Sequence, residues 1–189
     1  PDVLIPRPET EMLVEQGIKL LNSASQPRFL EIGVGSGCIS VSILKNCPSG
    51  RAVAVDISSE ALAVAAQNAN LHDVADRLEL LRSNIFENVP PFRYDLVVSN
   101  PPYIPIADLS ELQPEVRDHE PHIALSDGAD GLTFIGNLAR NSIQYLAPGG
   151  CLLMEIGFGQ SEKATKMFDQ PDWRRVEVIP DLQGIPRMV

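Results

Sequence analysis

The sequence has little of what disulfide scaffolds, zinc sites, membrane spans or nucleic-acid binders need. Its three cysteines, Cys38, Cys47 and Cys151, are odd in number and lack C-x-x-C spacing. Neither a disulfide framework nor a zinc site is expected, a reducing compartment fits, and all three read as buried free thiols. Only four of the fifteen basic residues are lysines, and no basic cluster is longer than Arg174-Arg175 in a chain of formal net charge −10. Proteins that live on nucleic acid usually present a basic face that displaces counterions. The balance weighs against a DNA or RNA substrate, unless a separate module makes the phosphate contacts, and it suits a cationic ligand. No apolar run approaches the roughly 18–20 residues of a membrane span. His72, His119 and His122 form no metal pattern, and Ser36 and Ser99 have no triad partners, which argues against a hydrolase. The chain starts Pro1-Asp2, without Met or a visible signal peptide, so an N-terminal address or domain outside it stays open.

What is present is a chain of 189 residues, 44% of them apolar, enough for one domain with a full core. After a stiff entry, Leu4 to Glu11, a helix is expected from about Pro8 to Leu21, with Pro8 in its first turn and Glu9 and Glu11 at its positive end. Asn22 to Pro27 is a linker by composition. Buried strands are expected at Arg28–Ile32, Ala52–Asp56, Arg77–Leu81, Tyr94–Ser99, Cys151–Ile156 and Arg174–Ile179. Helices are expected at 38–44, 59–71 and 132–146, near 107–117 and at 160–169. Pro148-Gly149-Gly150 reads as a turn, and Ile185 to Val189 as the start of a hairpin partner. Alternation of buried strands with helices means an α/β fold with a mostly parallel sheet covered on both faces. A closing antiparallel hairpin marks the Rossmann-like class I methyltransferase plan, with a mostly parallel seven-stranded sheet, rather than a dehydrogenase with six parallel strands.

Four strand ends carry chemistry. Glu31-Ile32-Gly33-Val34-Gly35-Ser36-Gly37 joins a strand to a helix, where glycines let the backbone approach a ligand. Its third glycine comes one residue too early for the dinucleotide fingerprint G-x-G-x-x-G. Glu31 would repel a pyrophosphate but suits the ammonium of S-adenosylmethionine. Asp56 ends the next strand, where a carboxylate can accept from both ribose hydroxyls and can also cap the following helix. Asn84 and Ile85 follow the third strand, where Asn84 could bond an adenine edge and Ile85 pack on its face; an Asx-type turn is the competing reading. Asn100-Pro101-Pro102-Tyr103 ends the fourth. Two prolines cannot continue a strand, so a stiff loop must follow, with the Asn100 amide aimed into the crevice where open α/β sheets bind ligands. The Asn100 side-chain oxygen and the Pro101 carbonyl can each accept one N–H of a planar NH₂, and Tyr103 can stack on its plane. No general base is evident in the loop, so the surplus proton is expected to go to water.

With these motifs in view, the chain resembles the peptide-chain release factor glutamine methyltransferases, the HemK/PrmC family, along essentially its whole length. The resemblance rests on Leu4-Ile5-Pro6-Arg7-Pro8-Glu9-Thr10-Glu11, the glycine motif 31–37 and Asn100-Pro101-Pro102-Tyr103-Ile104. It also rests on Glu120-Pro121 with Ala124-Leu125, Asp127 to Leu132, Pro148-Gly149-Gly150, Glu155-Ile156-Gly157, and Asp181 to Arg187. It implies methyl transfer from S-adenosylmethionine to the side-chain nitrogen of the glutamine in the Gly-Gly-Gln motif of translation release factors. Glu31, Ile32, Gly33, Val34, Gly35, Asp56, Asn84, Ile85 and Asn100 would then touch the cofactor. Asn100, Pro101, Pro102 and Tyr103 would hold the glutamine, with Asn100, Pro101 and Tyr103 catalytic and no metal. Residues 1–189 would be the catalytic domain, without the family's small N-terminal helical domain, acting in the cytoplasm or an organelle without direct nucleic-acid or membrane contact. Asn84 stands where the family usually has Asp, and Asp127 where it has a small residue. The competing readings are a glutamine methyltransferase for a ribosomal protein, a DNA or RNA amino-methyltransferase, and a non-catalytic cofactor-binding subunit. The intact loop argues against the last.

Overall fold

The computed structural model describes residues 2–22 and 24–189; within the linker, Ser23 lies outside the described residues. Helix α1 (Pro8–Leu21) starts on Pro8, whose missing N–H costs nothing in a first turn, and places Lys19 in its last turn. Its buried Thr10, Leu13, Gly17 and Leu21 share one face. Strand β1 (Arg28–Ile32) leads through the glycine turn into α2 (Cys38–Asn46), and β2 (Arg51–Asp56) into α3 (Ser59–Leu71). The Ser58 hydroxyl caps α3 by accepting from the Ala61 N–H at 3.1 Å. Strands β3 (Leu78–Arg82) and β4 (Tyr94–Ser99) follow.

The segment after β4 holds a 3₁₀ turn (Ile106–Glu111) and two single-turn helices, α4 (Pro114–Arg117) and α5 (His122–Leu125). One helix over 107–117 is thus replaced by two pieces, because Pro114 cannot donate into a preceding turn. Helix α6 (Thr133–Asn141) passes into a 3₁₀ turn, and β5 (Leu146–Met154) follows. Leu146 pairs with Tyr94 and Cys151 with Leu96, so the residues around Pro148-Gly149-Gly150 bulge out inside one strand. Helix α7 (Ser161–Lys166), β6 (Ile179–Pro180) and β7 (Pro186–Met188) complete the chain.

The sheet order is β3-β2-β1-β4-β5, all parallel, with β6 and β7 as a separate antiparallel pair. One continuous seven-stranded sheet is therefore corrected to five strands plus a hairpin. The hairpin is attached to the β5 edge by backbone bonds, Met154 with Val189 both ways and the Ile156 N–H to the Arg187 carbonyl, around a bridge between Glu155 and Met188. The strand expected at Arg174–Ile179 shrinks to its last residue plus Pro180. Val176 and Val178 are each 38% exposed, so their β-branched pattern finds no neighbour to pair with. Alternation along each strand feeds two cores: Phe29 and Leu96 face α1 and α2, while Leu30 and Val97 face α6.

Register decides where the chemistry lands. Leu81, Val55, Ile32, Ser99 and Met154 form one row across the sheet. The residues just beyond that row, from Arg82 through Asp56 and Gly33 to Asn100 and Glu155, therefore line one edge. Neighbouring strands lie about 4.8 Å apart, so the groups on adjacent strand ends can touch one ligand. Strand β1 sits between β2 and β4, the topological switch point at which open sheets leave a crevice.

Candidate active site

A cavity follows that edge. Its wall includes Glu31, Ile32, Gly33, Val34 and Gly35 from the glycine turn, then Asp56, Asn84 and Ile85, and finally Asn100 and Pro102. Pro101 is buried and Tyr103 half-buried, and neither forms part of that wall.

The turn is held by β2. The Gly33 and Val34 N–H groups both donate to the Val55 carbonyl, at 2.9 and 3.0 Å. Gly33 and Gly35 have φ of +76° and +51°, and a Cβ on either would meet nothing within 4 Å. The backbone thus presents a bare surface to open space, a cradle for a ligand. Glu31 lies beneath it, fully buried. The Ser40 N–H and hydroxyl both donate to its Oε2, while Oε1 has no partner among the described residues. Burial, partly offset by the Ser40 bonds, pushes its carboxyl from the ordinary 4.5 up to about 8. A buried carboxylate oxygen without a donor is rare, and the wall around it invites a cationic N–H.

The Asp56 carboxylate accepts from the Gly35 N–H at 2.9 Å and the Ser58 N–H at 3.0 Å. It ties turn to helix, and each oxygen keeps a lone pair for a further donor. Asn84 is exposed and donates its amide to Glu87 Oε1 at 2.9 Å. The Ser83 hydroxyl fixes the turn, donating to the Ile85 carbonyl and accepting from the Asn88 N–H. Ile85 carries φ of +51°, a left-handed conformation costly for a β-branched residue. Such strain persists only where the surroundings impose it, and here it aims an apolar face into the cavity.

Asn100 donates its Nδ2 to the Thr10 hydroxyl at 3.3 Å, and Thr10 donates to Glu155 Oε2 at 3.3 Å. Tyr103 donates its hydroxyl to Glu155 Oε1 at 2.9 Å. Burial raises the Glu155 carboxyl, and these two bonds pull it partly back; burial and the neighbouring Glu155 raise the Tyr103 phenol. The Gln160 amide donates to the Tyr103 carbonyl at 2.8 Å and accepts from the Gly157 N–H at 2.8 Å. A Cβ at Gly131, where φ is +78°, would collide with that same Tyr103 carbonyl.

Residue types at strand ends do not reveal Thr10, Gln160 or the roof of the cavity. That roof includes Leu4 and Pro6 of the entry, Ile123 and Ala124 of α5, and Phe134. Arg7 joins the two sides through a 2.6 Å ion pair with the buried Glu120. Glu155 had a usable signal, because it is the polar residue after β5 just as Asp56 ends β2 and Asn100 follows β4. Among the described residues no group of three or more His, Cys, Asp or Glu could hold a metal ion, and no helix is long and apolar enough to cross a membrane.

The family model for the methyltransferase small domain matches residues 10–111. The release factor glutamine methyltransferase of Geobacter sulfurreducens is 44% identical over 189 residues, covering 100% of this chain and 65% of the relative. The protein of the same description from Bordetella pertussis is 43% identical over 189 residues, covering 100% of this chain and 69% of that one. The chain thus spans roughly two thirds of the length of these relatives. A solved RNA methyltransferase from Salinibacter ruber in complex with S-adenosyl-L-homocysteine superposes with a TM-score of 0.59, at 18% identity, over 97% of this chain and 92% of that one. At that identity the likeness is one of fold.

Proposed function

The chain belongs to the family of the release factor glutamine methyltransferases, and on that premise we propose that it uses S-adenosylmethionine to methylate a glutamine side-chain nitrogen of a translation release factor, within Gly-Gly-Gln. The observation that carries the reading is the one cavity at this sheet edge that Glu31, Asp56, Ile85 and Asn100 all line. In this reading residues 1–189 are the catalytic unit, working in the cytoplasm on a protein partner without direct nucleic-acid contact.

The residues fit the cofactor. The unpartnered Oε1 of Glu31 suits its ammonium, the bare cradle at Gly33 and Gly35 its chain, and the free lone pairs of Asp56 its ribose hydroxyls. Ile85 would pack on the adenine face, and Asn84 would offer its side-chain carbonyl at the adenine edge. When bound, S-adenosylmethionine supplies an electrophilic methyl group on a cationic sulfur.

The chain's own part is positioning. A carboxamide nitrogen is a weak nucleophile because its lone pair is delocalised, so holding it in line matters most; a fixed near-attack pose is worth roughly 7–11 kcal/mol in favourable cases. The Asn100 Oδ1 would accept one N–H of the glutamine amide, with Pro102 stiffening the loop and Tyr103 holding it; the Pro101 carbonyl, expected to take the second N–H, belongs to a buried residue outside the cavity wall. The surplus proton goes to water.

The test is a labelled-methyl assay offering release factor, ribosomal protein and nucleic acid side by side. Label on the release factor glutamine supports the reading; label confined to either of the others overturns it.

A further inference from the structure

An asparagine amide has two ends, and only one of them suits an N–H donor. If Asn100 presented its NH₂ to the cavity, it would face the NH₂ of an acceptor amide and repel it. Something must therefore fix the amide's orientation, and Asn100 cannot do so alone. Its Nδ2 lies 3.3 Å from the Thr10 hydroxyl. That hydroxyl owns one proton, and it is committed to Glu155 Oε2 at 3.3 Å. With its proton spent, the Thr10 oxygen can only accept, so the group facing it must be a donor. The Asn100 nitrogen is thereby turned toward Thr10 and its oxygen away.

Glu155 is placed for this by the sheet. Its backbone N–H donates to the Ser99 carbonyl at 3.0 Å, which sets it beside Asn100 at the edge. Both of its carboxylate oxygens are occupied, one by Thr10 and one by Tyr103 at 2.9 Å. Thr10 is 5% exposed and Glu155 2% exposed, so water does not compete for these bonds. We propose that Thr10 and Glu155 are positioning residues that lock the Asn100 amide with its oxygen toward the acceptor, and so select an NH₂ over a carboxylate. This rests on the proposed methylation of a glutamine amide. It assigns a discriminating role to the entry segment through a residue 90 positions from Asn100.

The test uses the intact protein as wild type, Thr10→Val and Thr10→Ser. Valine keeps the shape and removes the hydroxyl, while serine keeps it. Two peptides carry the substrate loop, one with glutamine and one with glutamate in its place, which binds without being methylated. Wild type binds the glutamine peptide better. In Thr10→Val the released amide turns its NH₂ outward to the carboxylate, and the ratio of glutamate to glutamine affinity rises at least tenfold, with kcat falling and S-adenosylhomocysteine affinity changing less than threefold. Thr10→Ser restores both ratio and kcat. An unchanged ratio in Thr10→Val, or a ratio that serine fails to restore, overturns the lock. A readout without substrate keeps the lock separable from the functional reading: the Asn100 side-chain amide protons exchange slowly in wild type and Thr10→Ser, and faster in Thr10→Val. Wild type that methylates no glutamine while showing this pattern refutes the function and keeps the lock; equal exchange in all three refutes the lock.

Discussion

Replacing Glu31 with glutamine is expected to stabilise the ligand-free protein and cripple its binding site. Glu31 is fully buried, with its carboxyl raised from 4.5 to about 8 by burial, against the Ser40 bonds and with the nearby Asp56 adding to the rise. A group whose folded-state affinity for its proton is raised contributes stability that is fully present below the unfolded value. That stability is lost as pH climbs through the folded value. The window here is pH 4.5 to about 8. At about 1.4 kcal/mol per tenfold change in proton affinity, ionising Glu31 at high pH costs the fold on the order of 5 kcal/mol. Glutamine carries no charge and keeps an oxygen for the Ser40 donors. Urea denaturation at pH 5, 7 and 9, without ligand, should therefore show Glu31→Gln pulling ahead of wild type as pH rises, by roughly 2–5 kcal/mol at pH 9. A difference that stays flat across this range would refute the assignment of a strained carboxyl. Cofactor binding should show the reverse. A cationic ammonium lets Glu31 ionise, so wild type should release a proton on binding near neutral pH, and the measured heat should vary with the buffer's ionisation enthalpy. Glu31→Gln should show no such variation and bind about 10–100-fold more weakly, the cost of one charge-assisted bond.

Asn100→Ala should remove most methyl transfer while leaving cofactor affinity within about tenfold, since the loss is one bond to a buried amide worth roughly 1–3 kcal/mol; transfer near the wild-type rate would refute the grip. Asp56→Ala should mainly weaken cofactor binding in titration calorimetry, and unchanged affinity would count against the ribose role. Arg7→Ala leaves the buried Glu120 without its cation. It should cost about 1–3 kcal/mol in denaturation, less than a fully buried pair would because Arg7 itself is partly exposed, and Glu120→Gln should cost less. Gly131→Ala combines a left-handed φ of +78° with a collision at the Tyr103 carbonyl. A clear drop in Tm together with loss of transfer is expected, and an unperturbed Tm would show that the loop yields there.

The proposed cofactor side of the site is legible in the sequence because each of its elements announces itself locally. Glu31 to Gly37, Asp56 and Ser83 to Ile85 each end a strand that a short apolar run reveals, and parallel pairing brings those ends to one edge. The acceptor side is only half legible. Asn100 and its prolines are visible, but Thr10 lies on a helix whose partner is 145 residues away, and no local pattern encodes that pairing. The hairpin shows the same limit. Val176 and Val178 have the composition of a strand, yet each stays 38% exposed, and the pairing passes to Ile179 and Met188 instead. The tethers of Tyr103, its hydroxyl to Glu155 and its carbonyl to Gln160, have no local signal in the sequence either.

The separation between Thr10 and Glu155 also governs when the site can exist during synthesis. The part of the proposed cofactor site made by Gly33, Gly35 and Asp56 needs only contiguous chain, from β1 through β2, and closes with a loop of modest length. The grip on Asn100 requires the first turn of α1 to meet the residue that follows the last parallel strand. Loop-closure entropy makes such a contact late. A chain emerging from the ribosome would thus complete the proposed cradle well before the proposed lock on Asn100, whose two parts, Thr10 and Glu155, lie 145 residues apart.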